Sequence, residues 1–260
     1  MSLTALVALL FWICSLPVLA EIRPAFQVIG AFSLQKLDRG CYCLTDGLGR
    51  TLTLVPRGQE PPPGTPKDNI IRTPVKRVAV VSGQDVSIIH ALGVVDTVVV
   101  VTGEPRDWSS IPYIKNGLQN GSVITGGEGM VLDYELFVKA KPELVLTWDE
   151  AMVPVFGELG IPVLITNTER ARNLDTQMQF ARFLGTIFDK TKQADAFIER
   201  VRAKIAEVKA ITQKAVRKPK VMWVDIFPGR LLAEPGNSFH AEIVRVGGGQ
   251  YLFDDIFGAS

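Results

Sequence analysis

Hydrophobic residues recur in the second half of the chain at intervals of three and four. From Thr191 to Arg217 they fall at Ala194, Phe197, Ile198, Val201, Ile205 and Val208, with Thr212 continuing the row. That spacing gathers them on one helical face. Between them stand Lys192, Asp195, Glu199, Arg200, Arg202, Lys204, Glu207 and Lys209, and Asp195, Glu199 and Arg202 share one charged stripe. No Gly or Pro interrupts the run before Pro219. A helix of roughly 26 residues, about 40 Å long, is predicted. Such a rod is either an over-long surface helix or a strut between two lobes, and its flanks decide which.

Upstream, the period shifts repeatedly between strand and helix. Thr45–Pro56, with turn chemistry at Asp46-Gly47 and Leu48-Gly49 and alternation over Thr51–Val55, reads as a hairpin. Gln59–Asp68, with four prolines, reads as a stiff linker. Strands are then predicted at Val75–Val81, Thr97–Val101, Val123–Thr125, Leu144–Trp148 and Ile161–Thr166, and helices at Asp85–Leu92, Leu132–Ala140, Ala151–Leu159 and Asn173–Phe188. Thr102–Gly121 reads as a loop, and residues 21–39 carry no clear pattern. After Pro219 come a strand over Lys220–Asp225, a loop over Ile226–Gly236, a helix over Ser238–Val246 and Gly247-Gly248-Gly249. Strand–helix units on short connections mean an open α/β sheet on each side of the long helix. The fold expected is therefore α/β, two Rossmann-like lobes joined by one long rigid helix, the second lobe incomplete. Residues 1–20 stand apart, 21–71 form an extension with hairpin and linker, 72–172 the first lobe, 173–218 the helical connector and 219–260 the start of the second lobe.

Met1–Ala20 is uncharged and apolar. It reads as an export signal cleaved before Glu21, or as a retained anchor, since the run approaches membrane-spanning length. Cys14 lacks the small preceding residue of a lipid-attachment site, and Cys41 and Cys43, one residue apart, are assigned no function. A net charge of +1 over 260 residues, with no basic block, excludes a nucleic-acid partner. Two histidines, His90 and His240, are too few for a His-rich site for free metal ions, and both are expected to be structural. No G-x-G-x-x-G follows the first strand, Gly126-Gly127-Glu128-Gly129 lacks the phosphate-loop Lys, and no G-x-S-x-G elbow occurs, so an enzyme is not expected.

Several motifs in order resemble the ABC-transporter substrate-binding proteins that carry iron–siderophores, haem or cobalamin. They are Thr45–Thr51, Lys76–Val80 with Ala91-Leu92-Gly93, Ala140-Lys141-Pro142-Glu143-Leu144-Val145-Leu146, Leu159–Val163, Phe183-Leu184-Gly185 with the helix after it, and Gly236–Phe239 with Gly247–Gly249. Glu143 stands where the family usually has Asp. The resemblance implies a periplasmic or otherwise extracytoplasmic monomer that holds its ligand between the lobes and hands it to a membrane permease. The family's second lobe continues past the glycine exit, so the sequence is expected to stop inside that lobe. It also implies a small opening of the lobes, since an unbroken helix makes a poor hinge.

Loops at strand carboxyl ends face the cleft in open α/β sheets. They offer Gln84, Trp108, Met130, Trp148, Phe227 and Arg230 as ligand-binding candidates: aromatic faces for a chelate or macrocycle, a cation for an anionic siderophore. Packing at the sheet edge accounts equally for Trp108 and Trp148, and Trp223 is expected in the core. The resemblance also implies one exposed acid per lobe meeting permease arginines, here Glu135 and Glu242. An iron–siderophore is the first ligand expected, cobalamin the second, and haem follows because no Tyr or His stands at an obvious ligating position. No resident cofactor is expected.

Overall fold

The computed structural model describes residues 26–27, 32–128, 131–166 and 173–258, so the expected signal over residues 1–20 lies outside the described residues. Strands β1 (Phe26–Gln27), β2 (Ser33–Lys36), β3 (Tyr42–Thr45), β4 (Thr51–Pro56) and β5 (Ile70–Thr73) form one sheet in that order. The hairpin of β3 and β4 is the one the alternation predicts. The stretch before it, patternless in sequence, contributes β1 and β2, and Phe32 and Leu34, on either side of half-exposed Ser33, are buried in the core. The proline-rich stretch is a crossover: it carries the chain from β4 to β5, which pair in parallel.

The second sheet is the centre of the first lobe. Its elements are β6 (Val78–Val80), α1 (Gly83–Ala91), β7 (Val98–Val101), α2 (Pro112–Asn120), β8 (Ile124–Thr125), β9 (Gly127–Glu128), β10 (Val131–Leu132), α3 (Tyr134–Ala140), β11 (Leu144–Thr147), α4 (Met152–Glu158) and β12 (Val163–Ile165). The order β12-β11-β6-β7-β8 is wholly parallel. Parallel strands are covered on both faces, which is why β7 and β11 are buried at every residue. Val78, Val80, Leu144 and Leu146 point toward α1 and the N-terminal sheet, and Ala79 and Val145 toward Phe137 of α3 and Phe156 of α4. Helix α2 lies in the stretch read as a loop. Pro112 is no breaker there because it occupies the first turn, where no N–H is needed. The glycine-rich run around Gly127 makes a small β9–β10 hairpin. A Cβ at Gly127 would lie 2.1 Å from the Val131 carbonyl oxygen, so glycine is required there by close backbone approach.

The T-D-G-L-G-R hairpin is pinned to this sheet's edge by Asp46, which is fully buried. Its carboxylate accepts from the Leu48 and Arg50 amides, both at 3.0 Å, from the Arg50 side chain and from the Ile165 amide at 3.3 Å. Arg50 also donates to the Val163 carbonyl at 2.7 Å and Gly47 N–H to the Ile165 carbonyl at 3.1 Å. Three groups of edge strand β12 are thereby satisfied. Glu143 does similar work, accepting from Arg57 at 2.6 Å and from the Lys76 amide at 2.8 Å.

Helix α5 (Leu174–Ile187) covers the lobe with Phe180 and Phe183, which pack on Phe32. The long helix α6 (Thr191–Thr212) follows and crosses to the second lobe. It has 22 residues, about 33 Å, and ends five residues before Arg217. The reason is local. Thr212 is its last anchored residue, donating to the Val246 carbonyl at 2.9 Å, and beyond it Val216 has nothing to pack on. Pro219 then holds Lys218 extended. Asp175–Arg202 and Arg182–Asp195 tie α5 to α6, both at 2.6 Å, and Arg202 also reaches Glu199 at 3.0 Å.

The second lobe holds β13 (Lys220–Val221), β14 (Val224–Phe227), β15 (Arg230–Ala233), α7 (Phe239–Val246) and β16 (Gln250–Tyr251). Strands β13 and β16 pair in parallel, and β14 and β15 form an antiparallel hairpin where a strand and a loop are predicted. The Pro228-Gly229 turn explains it: Pro sets φ at one corner and Gly229 takes φ 76° at the next. Trp223, expected in the core, falls between β13 and β14 and is 40% exposed. The lobe's buried core is Ala241, Val244 and Tyr251. Along α6, between Ala91 and Val246, Phe197, Val201, Ile205 and Val208 line an open apolar groove of about 410 Å³.

Candidate functional site

The topology selects one edge of the parallel sheet. Strand β6 is central, β7 follows on one side, and the chain later returns to put β11 on the other. The loops after β6 and β11 therefore diverge, leaving a crevice at their carboxyl ends. Gln84, in the first turn of α1, is exposed there and its Nε2 donates to Gln177 Oε1 of α5 at 2.9 Å. Trp148 is the first residue past β11 and is 46% exposed. The turn carrying it is rigid: Asp149 N–H donates to Thr147 Oγ1 at 3.0 Å, and Asp149 accepts from the Ala151 amide at 2.9 Å. An indole held open on a fixed turn is a ready platform for a flat ligand.

Trp108 is differently placed. It is buried, its indole N–H donates to the Thr102 carbonyl at 3.1 Å, and its ring lies under Gly83 at the start of α1. It supports the crevice from beneath. Asp85, in the first turn of α1, is a polar group that no motif marks. It is fully enclosed, and Thr166 Oγ1 lies 2.6 Å from its Oδ2. Burial pushes its carboxyl up to about 7, against the lowering effect of the Thr166 hydrogen bond. This pair links α1 to the ends of β11 and β12, so the crevice rests on a carboxyl that is largely protonated below neutrality.

On the second lobe, Arg230 begins β15 and is exposed, and Phe227 ends β14 opposite it in the ladder. Met130 lies outside the described residues. Glu135, at the start of α3 after the Asp133 cap, is exposed. Glu242 is not the freely exposed acid that the resemblance implies. It is half-buried and accepts the Leu174 N–H at 2.8 Å, capping α5, whose first amides have no acceptor within the helix. This contact brings the first turn of α7 beside the start of α5, close to the carboxyl edge of the parallel sheet.

Near that turn lies a cluster missed in sequence. His240 has its ring centroid 4.7 Å from that of Trp223 and 3.8 Å from that of Phe239, and its Nδ1 is 3.3 Å from Glu234 Oε2. The distance suits an ion pair, but the two atoms lack hydrogen-bond alignment, and both are buried without another partner. Nothing periodic relates residues 223, 234 and 240, and the hairpin that joins them was read as a loop. Among the described residues no group of three or more His, Cys, Asp or Glu could hold a free metal ion, and no helix is long and apolar enough to cross a membrane. A separate pocket of about 600 Å³, between Leu37–Arg39 and Glu60–Pro63, lies on the N-terminal sheet, away from this edge.

Comparison with known proteins agrees with this architecture. The family model described as periplasmic binding protein matches residues 78–255. A periplasmic solute binding protein from Veillonella parvula superposes with a TM-score of 0.56 at 21% identity, over 84% of this chain and 62% of that one. A periplasmic heme-binding protein from Roseiflexus sp. RS-1 gives 0.55 at 20% identity, over 71% and 70%. The periplasmic vitamin B12 binding protein of Vibrio cholerae gives 0.53 at 14% identity, over 72% and 69%. Across eight such structures the chain spans between 58% and 71% of the matched protein's length. No curated protein sequence matches it. At these identities the structures speak to the fold, which is that of two-lobed binding proteins.

Proposed function

Because the chain belongs to the periplasmic binding protein family, we propose that it captures a metal chelate outside the cytoplasm and delivers it to an ABC-importer permease. The ligand is of the iron–siderophore, cobalamin or haem kind. The observation that carries this reading is Trp148, exposed on a rigid turn at the topological switch point, at the same carboxyl edge as Gln84. Aromatic area with few polar groups suits a flat, partly apolar ligand better than a sugar or a free ion. Gln84, Trp148 and Met130 contact the ligand from the first lobe, with Trp108 buttressing the crevice. Phe227 and Arg230 contact it from the second, and Arg230 meets an anionic group. The function is binding without catalysis, in a monomer with no resident cofactor. Glu135 docks on permease arginines, steering orientation more than adding affinity. Glu242 joins it at the cost of its cap on Leu174.

Titration of the protein with a ferric siderophore, cyanocobalamin and haemin, followed by tryptophan fluorescence, tests the reading. One of them is expected to quench, with Trp148→Ala weakening binding about tenfold, the size of a lost aromatic contact of about 1.4 kcal/mol. No response to any of the three would overturn it. Glu135→Lys is expected to abolish transport and leave affinity intact, and a loss of affinity instead would remove Glu135 from the docking surface.

A further inference from the structure

Asp85 and Thr166 lie behind the two crevice residues of the first lobe. Asp85 follows Gln84 in the first turn of α1, and Thr166 follows the last residue of β12. The Thr166 hydroxyl has one proton and two acceptors. Its Oγ1 lies 2.6 Å from Asp85 Oδ2 and 3.3 Å from the Thr147 carbonyl oxygen, and all three residues are buried. That carbonyl belongs to the peptide bond leading into Trp148. The Thr147 side chain holds the other end of the same turn, accepting the Asp149 amide at 3.0 Å. A hydroxyl donates only once, so the charge of Asp85 decides which acceptor is served. A protonated carboxyl can donate to Thr166 and leave the hydroxyl proton for Thr147. A carboxylate takes that proton for itself, and the Thr147 carbonyl keeps only the Thr166 amide, at 2.8 Å.

We infer that Asp85 is a positioning residue for Trp148: through the Thr166 hydroxyl its carboxyl fixes the peptide that carries the indole, and ionisation loosens it. This rests on the binding function proposed above and adds its regulation, a chelate held more tightly in acid than above neutrality. Two hydrogen bonds separate the carboxyl from the Thr147–Trp148 peptide, so the link is short. Ionisation also puts a charge where no solvent reaches, which favours states in which α1 parts from the ends of β11 and β12. The carboxyl answers to burial first and to the Thr166 hydroxyl second, and its midpoint stands at about 7. Below that value the chain runs through to Thr147, and above it the chain reverses. Charged groups on the surrounding elements are otherwise engaged or exposed. On α1, His90 is exposed in the last turn. In the turn after β11, Asp149 accepts the Ala151 amide and Glu150 is exposed. On α5, Asp175 pairs with Arg202, and beside Trp108, Arg106 pairs with Glu104 while Asp107 accepts the Glu104 amide. Glu169, Arg170 and Arg172, next along the chain from Thr166, lie outside the described residues.

The first test needs no ligand. Acrylamide quenching of Trp148, taken as the difference between the full-length wild type and Trp148→Phe, is followed across the midpoint of about 7. Quenching is expected to rise as the carboxyl ionises. Asp85→Asn, whose amide can donate to Thr166 at any pH, should hold the acid value throughout. Thr166→Val, which removes the hydroxyl and keeps the shape, should abolish the step. Wild-type quenching without a step overturns the inference, as does the same step in Asp85→Asn, which would point to His90. Should Asp85→Asn misfold, Thr166→Val still decides, since a step that survives loss of the hydroxyl overturns it. Affinity is then measured with cyanocobalamin and a ferric trihydroxamate, neither of which titrates near neutrality. For whichever binds, affinity should fall about fivefold from one pH unit below the midpoint to one above, and stay level in Asp85→Asn. Level affinity in the wild type overturns the regulation and leaves the binding function standing. If neither these nor haemin binds at any pH, the binding function falls and the regulation with it, while quenching still decides whether Asp85 positions Trp148.

Discussion

Over the residues of this chain, the two lobes bury very different amounts of apolar surface. In the first, every residue of β7 and β11 is buried, Phe137 and Phe156 close one face, and Phe180 with Phe183 close the other. In the second, three residues form the buried core, while Met222, Ile226, Leu231, Leu232 and Phe257 stay exposed. What fixes the second lobe is its attachments: Glu242 on α5, Thr212 on Val246, and Gly248 against Thr212. Among the described residues, the first lobe has a packed core of its own, and the second-lobe segment is held mainly by its contacts with α5 and α6.

The strongest way to break this comparison is a matched pair of truncations in the two cores. Phe137→Ala should cost about 3–5 kcal/mol, as for a fully enclosed aromatic. Val244→Ala should cost on the order of 1 kcal/mol. Urea denaturation of the full chain measures both, and equal losses would mean the lobes are equally self-sufficient. Next in size is the pH dependence of the first lobe. Asp85 keeps its proton in the folded state up to about 7, against an ordinary 3.8. Between those values the folded form holds a proton that the unfolded chain has released. Stability is then full below the unfolded value and falls as pH rises toward 7, by an amount on the order of a few kcal/mol. Asp85→Asn should flatten that slope, and a wild-type curve with no decline between pH 4 and 7 would contradict the protonated carboxyl. Third, Glu242→Ala should cost about 1 kcal/mol. It should speed amide exchange in the first turn of α5 by about fivefold, with the core strands unchanged. Smallest is Arg202→Ala, whose exposed ion pairs are worth a few tenths of a kcal/mol and less in high salt; a loss above 1 kcal/mol would make the connector a larger contributor than described here.

Most of the parallel sheet was legible because a parallel strand buried on both faces must be apolar throughout, as Val98–Val101 is. The long helix was legible from its period, and its role as a strut from the strand–helix units on either side. What escaped depends on contacts far apart in sequence. The end of α6 is set by Val246, the roles of Asp46 and Asp85 by Ile165 and Thr166, and the Glu234–His240 pair by a hairpin turn. That hairpin was within reach, since Pro228-Gly229 is turn chemistry, but the apolar residues on both sides of it belong to a lobe with little core to impose a period. Of the site, Trp148 and Gln84 followed from the rule for strand carboxyl ends. The capping role of Glu242 did not, because it answers to the start of another helix.

The tie between Asp46 and Ile165 also sets an order of events. Its two ends are 119 residues apart in sequence, and the groups it satisfies exist only once β12 has joined β11. The hairpin therefore has no place to dock until the chain has been made through Ile165. Until then the rim of the sheet is open to pairing with another molecule. Closing so long a loop is slow more than it is costly. Asp46 is thus a latch that engages late, and the time before it engages is when a newly made molecule is most exposed to misassembly.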